Sequence, residues 1–260
     1  MQPVHWEELS SEALAALPRR GINMAILPVG ATEQHGPHLP LGVDTFSAVA
    51  VAEGASARTG IPVLPALAYG CSLGHSKKWP GTMSLRPETL ARLVFEIGEW
   101  VMAAGFTRLL LLNGHVTNWA PLRCGLENIR HQYPDMRIAL RSLWELSPAI
   151  HARYHEDAAN FHANCAETGL MLALRPELVS MHKAVDEPDR AVGHLFSYTM
   201  DKECVHGVVG APSRARPEDG AALLAAMIAT LAGQLQDALT ETTPLESWAA
   251  RAATQSSQTG

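Results

Sequence analysis

The sequence predicts an α/β fold built on a mainly parallel sheet, and two observations carry that expectation. Short apolar runs at Ile22 to Val29, Ile61 to Leu67, Leu109 to Leu112 and Met136 to Leu143 each stop at a loop, and the stretches between them repeat apolar residues at helical spacing. Strand, crossover helix and next strand is the pattern of a parallel sheet covered by helices. The 260 residues, 47% of them hydrophobic, can bury one large core, and no break in composition divides them. A single domain is expected over residues 1–252, followed by a polar tail, 253–260, expected to be disordered.

Each element has its own justification. Ile22 to Val29 opens the sheet, and Thr45 to Arg58 is the first crossover helix, closed by Gly60. Ile61 to Leu67 is the second strand. Pro87 suits a first helical turn, and Leu90, Leu93, Val94, Ile97 and Val101 share one helical face before Gly105 ends it. Leu109 to Leu112 is unbroken apolar chain, as in a strand buried on both faces. It runs into Asn113-Gly114-His115-Val116-Thr117-Asn118, where Asn-Gly calls for permissive backbone angles and Asn118 is placed to cap the next helix. Met136 to Leu143 is a fourth strand. The pattern loosens from Pro148 to Asn160, and Ala163 to Leu174 is helical until Arg175-Pro176. His182 to His206 is irregular over a length typical of lids or oligomer contacts. Pro217 to Leu239 is an amphipathic helix with Leu224, Met227, Ile228, Leu231 and Leu235 inward.

The chemistry concentrates in two loops. Glu33 and His35 are two residues apart directly after the first strand, so both can bend toward one ion, and Asp44 returns as a bridge. Carboxylate oxygen with imidazole nitrogen suits zinc, manganese or iron. Gly36, Pro37 and Pro40 keep the loop out of helical geometry. His115 lies just past a strand's carboxyl end, where open α/β sheets gather their ligands. The bland alternative is that these are solvated loop residues. A net charge of -6 with no Lys/Arg-rich run argues against nucleic acid or an anionic membrane as partner and leaves small molecules. Met1 to Ser10 has no apolar core, no segment is expected to span a membrane, and a cytoplasmic location follows as an expectation. Cys71, Cys124, Cys165 and Cys204 show no Cys-x-x-Cys spacing and are expected to be free thiols.

The run Glu33 to Pro40 with Val43-Asp44, then Trp79 to Leu85, Asn113-Gly114-His115, His162-Ala163 with Glu167-Thr168, and Gly207 to Pro212, resembles the creatininase (creatinine amidohydrolase) family over roughly Pro3 to Leu239. The resemblance implies a three-layer α/β/α sandwich, two divalent metal ions per subunit (zinc, manganese or iron), and a homo-oligomer that is often a hexamer. By position, Glu33, His35, Asp44 and His115 match the family's metal ligands, with Asp44 bridging, and His162 matches its proton-shuttling histidine. Thr117 stands where creatininase itself has a ligating glutamate, Ala158 where it has a tryptophan over creatinine, and Phe161 where it has an acid. Glu167 is therefore expected to take the vacant ligand place, and creatinine is not the expected substrate. Ser72, His75, Trp79 and Thr117 are candidates for substrate contact. On a regular helix His162 and Glu167 would point about 140° apart, so both reach one ion only if His162 precedes the helix.

The expected activity is hydrolysis of a C–N bond in a small cyclic or linear amide by hydroxide held between two ions, with His162 protonating the departing nitrogen. Formamide deformylation and peptide trimming in a cofactor pathway are alternatives inside the family. A mononuclear iron oxygenase and a silent metal-binding subunit are alternatives of other classes.

Overall fold

In the computed structural model, which describes residues 1–75 and 77–249, three of the apolar runs become strands β1 (Met24–Val29), β2 (Arg108–Asn113) and β3 (Arg137–Ser142). They lie parallel in the order β1-β2-β3, with Met24 opposite Arg108 and Arg108 opposite Arg137. The run from Ile61 to Leu67 departs from expectation. It lies along the free edge of β1, where Leu64 and Leu67 donate to the Ile26 and Pro28 carbonyls at 2.8 and 3.0 Å, but it makes only isolated bridges at Val63 and Leu67. Pro62 and Pro65 have no N–H to give, and neither has Pro28 of β1, whose carbonyl faces this segment, so the pairing along this edge is interrupted. The expected tail from residue 253 lies outside the described residues.

The helices are α1 (Ser11–Arg19), α2 (Val43–Thr59), α3 (Pro87–Ala103), α4 (Trp119–Gln132), α5 (Pro148–Tyr154), α6 (Cys165–Leu174), α7 (Met200–Glu203) and α8 (Pro217–Thr240). Successive strand residues face opposite sides of a sheet, so β1 and β2 feed two cores. Met24, Ile26, Leu110 and Leu112 pack with α2 and α8 through Val51, Ala55, Met227 and Leu231. Ala25, Leu27, Leu109 and Leu111 pack with α3 and α4 through Leu90, Val94, Leu122 and Ile129. The result is the three-layer α/β/α sandwich, and each fully buried Leu or Ile adds about 1.5–3 kcal/mol.

Two helices differ from their expected form. α5 appears where the pattern only loosened: Ser147 accepts from the Ile150 N–H, and Pro148 occupies the first turn. α8 is long and apolar enough, with a mean hydropathy of 1.4, to pass for a membrane span, against the expectation that no segment is. Here its stripe of Leu223, Met227, Leu231 and Leu235 is buried in the first core. α8 crosses α6 very closely, because a Cβ on Gly220 would stand 1.8 Å from the Gly169 carbonyl oxygen. That crossing matters, since the first turn of α6 carries Glu167.

Candidate metal centre

The carboxyl ends of β1 and β2 deliver the chemistry. The loop after β1 holds Glu33 and His35, the first turn of α2 holds Asp44, and the loop after β2 holds His115, all buried. The glycine of Asn113-Gly114-His115 is needed for space and not for a left-handed backbone, because a Cβ there would lie 2.4 Å from the Asp44 carbonyl oxygen. Asn118 does not cap the following helix as expected. Its side chain accepts from the Cys71 N–H at 2.7 Å and donates to the Gly30 carbonyl at 2.9 Å, tying three loops of the site together.

Asp44 turns one oxygen to each of two histidines: Oδ1 is 3.3 Å from His35 Nε2, and Oδ2 is 3.3 Å from His115 Nδ1. Glu33 Oε2 is 3.2 Å from His115 Nε2, and its Oε1 is 3.7 Å from His162 Nδ1. Glu33 with His35 and His162, Glu33 with Asp44 and His115, and His35 with Asp44 and Glu167 each bring three ligand atoms within 4.8 Å of one another. All six side chains are buried.

These residues fit a cation. Both Glu33 oxygens, His35 Nε2 and Asp44 Oδ2 are buried with no hydrogen-bond partner, and each such orphan costs about 1–3 kcal/mol, more when charged. Burial raises the Glu33 carboxyl even against the pull of His115. Burial, with Asp44 and Glu33 adding repulsion, pushes Glu167 up to about 7. His35 is depressed by burial, yet the attraction of Asp44, Glu167 and Glu33 outweighs this and carries it to about 10. Against its burial, His35 and His115 hold the Asp44 carboxyl low, whereas Glu33 and Glu167 resist ionisation, and converging carboxylates of this kind are what divalent ions neutralise.

The family model described as creatinine amidohydrolase matches residues 7–235. The creatinine amidohydrolase of Pseudomonas putida is 30% identical over 249 residues, covering 89% of this chain and 94% of its own. The chain belongs to the creatininase family. The mycofactocin precursor peptide peptidase of Mycolicibacterium smegmatis is also 30% identical, over 80% of this chain and 82% of its own. A Zn-Zn type mutant creatininase superimposes with a TM-score of 0.83 at 28% identity, covering 93% of this chain and all of the other. A manganese creatininase superimposes with a TM-score of 0.80 at 28% identity, covering 92% of this chain and all of the other.

In this creatininase-family hydrolase His162 does precede α6. It pairs with Val209 in an antiparallel bridge, and the chain then turns through Ala163 at φ 50°, the one left-handed non-glycine among the described residues. The Ala163 N–H donates to Glu167 Oε2 at 2.6 Å. This reversal brings His162 and Glu167 to one cluster. His162 Nε2 sits 2.9 Å from the Gln34 carbonyl oxygen, and in the tautomer that donates there Nδ1 faces Glu33 with its lone pair free. Burial, then the charges of His35 and His75, hold His162 well below its ordinary pKa.

The substrate-contact candidates divide. Thr117 Oγ1 lies 2.6 Å from His115 Nε2 and donates to the Cys71 carbonyl. Ser72 Oγ is 3.2 Å from the same ring nitrogen. His75, buried and not at the rim, has Nδ1 3.6 Å from Glu33 Oε1. Trp79 is not brought to the site: it packs on the α2–α8 core with the Lys78 ammonium over its ring. Sequence reasoning missed Gln34, whose amide accepts from the Gly36 N–H and turns its nitrogen to His75 and His162 at 3.3 and 3.0 Å. Its position between Glu33 and His35 was the available signal.

Proposed function

We propose that this hydrolase cleaves the C–N bond of an amide at a centre of two divalent ions, zinc or manganese, held by Glu33, His35, Asp44, His115 and Glu167. The observation that carries the reading is Asp44, whose two oxygens face different histidines inside a buried set of unpartnered ligand atoms. When bound, the ions supply a water acidified to near neutral pH and a Lewis acid for the amide carbonyl. Ser72 and Thr117 hold the His115 ring, the Gln34 backbone carbonyl holds His162, and the Gln34 side-chain nitrogen holds His75. An amide nitrogen leaves only once protonated, and His162, on the cavity wall beside Glu33, is the residue we assign to deliver that proton. The names of the two relatives and the zinc and manganese forms of creatininase support this chemistry.

Peptide trimming is the second reading, favoured by the size of the cavity over these residues, about 710 Å3. Creatinine itself fits poorly, because Ala158 is buried in the core without an aromatic ring to offer and Phe161 lines the cavity with an apolar ring and no acid. The test is a panel of cyclic amides, formamides, short peptides and creatinine offered to zinc- and manganese-loaded protein. Hydrolysis that stops with a chelator and returns with metal is expected, with creatinine turnover below the ordinary range of roughly 1–10³ per second. No amide hydrolysis with either metal, or oxygen uptake with iron, would overturn the reading.

A further inference from the structure

We infer that the substrate amide carries a large apolar arm without negative charge, aromatic by preference, seated against Phe196, Tyr198 and Trp144 in the cavity that the candidate metal ligands also line. The inference rests on the amidohydrolase reading and deepens it. A cavity of about 710 Å3 belongs to the size class that encloses most of a drug-sized ligand, far beyond a single-ring amide. Asp44, His115, His162 and Glu167 line the cavity together with the segment 191–198 and with Trp144, Phe161 and Met200. Leu195, Phe196 and Tyr198 are 90, 71 and 50% exposed, an apolar surface beside a polar site that a bound arm would cover.

The lining argues against an anionic arm. No Lys or Arg is among the described residues lining the cavity, whereas Glu203 is. The cations nearest the lining are engaged elsewhere: Arg190 donates to Glu187 at 2.7 Å, Lys202 pairs with Asp201, and Lys78 donates to the Val205 carbonyl at 2.7 Å. A carboxylate on the arm would lose its hydration and find no cation. The wall is also fixed in place. Glu187, 5% exposed, accepts from the Val205 and His206 N–H groups at 2.9 and 2.6 Å and from Arg190 at 2.7 Å, so one buried carboxylate closes the foot of the loop that carries Phe196 and Tyr198. A wall held before the ligand arrives spends less binding energy on ordering.

The experiment compares hydroxamates, which chelate metal without being hydrolysed as amides, on zinc-loaded protein by titration calorimetry: acetohydroxamate, the same group on a phenylpropyl arm, and that arm ending in a carboxylate. The phenylpropyl compound should bind on the order of tenfold to a hundredfold more tightly than acetohydroxamate, and the carboxylate should remove that gain. Phe196→Ala with Tyr198→Ala should bring the ratio near one while the metal complement stays that of the unaltered protein. Matched amides with and without the arm, on either side of the scissile bond, give the parallel comparison of kcat/KM. Equal affinity for armed and unarmed compounds, or a preference that survives in the double variant, overturns the inference. Armed compounds binding tightly with no amide hydrolysed would leave the arm pocket standing and sink the amidohydrolase reading, whereas amide hydrolysis indifferent to the arm would do the reverse.

Discussion

His162 sits at hydrogen-bonding distance from the Gln34 backbone carbonyl on one side and faces Glu33 on the other, so shuttle and ligand make different demands on it. As a shuttle it acts on the leaving nitrogen, and His162→Ala should keep the metal complement while turnover falls by on the order of 10²- to 10⁴-fold. Substrates with weakly basic leaving groups should suffer less. Loss of an ion in that variant, read by elemental analysis, would make it a ligand instead. Glu167 yields a pH prediction. Burial, with the charges of Asp44 and Glu33, lifts it to about 7, so below that pH metal-free protein holds a proton there that an incoming ion must displace. Ion affinity should fall as pH drops through about 7, and Glu167→Gln should remove that part of the slope. Calorimetry in buffers of differing ionisation enthalpy counts the protons released. An unchanged count in Glu167→Gln would take Glu167 out of the ligand set.

Among the elements, the α6–α8 crossing is where the site meets the scaffold. A methyl at Gly220 would strike the Gly169 carbonyl, which is backbone and cannot swing aside. Gly220→Ala should therefore cost about 1–3 kcal/mol, at roughly 2–4 °C of melting temperature per kcal/mol for a chain this size. An unshifted melting curve would mean the helices separate freely. Periodicity made α2 and α3 legible from sequence, and unbroken apolar runs made β1 and β2 legible, because both patterns follow from burial. The run from Ile61 to Leu67 looked equally apolar, yet its two prolines decided whether a ladder forms. Asn118 reads as a helix cap by position, and only the tertiary approach of the Cys71 and Gly30 loops gives its amide other partners. The prolines were in the local sequence to be read, whereas the partners of Asn118 were not.

For the molecule as a whole, the candidate ligands were legible because Glu33, His35, Asp44 and His115 sit in loops directly after strands or at a helix start, where topology forces convergence. Gln34 and Glu187 were not. Each acts through a loop distant in sequence, and Glu187 stood in an acidic stretch that reads as solvated surface. The central claim is that these loops assemble a centre for two ions with Asp44 between them. Elemental analysis of metal-loaded protein tests it most directly, comparing the unaltered chain with Asp44→Ala. Two ions per subunit are expected in the first and none in the second; one ion per subunit in the unaltered chain, or two in Asp44→Ala, would rule out a shared Asp44.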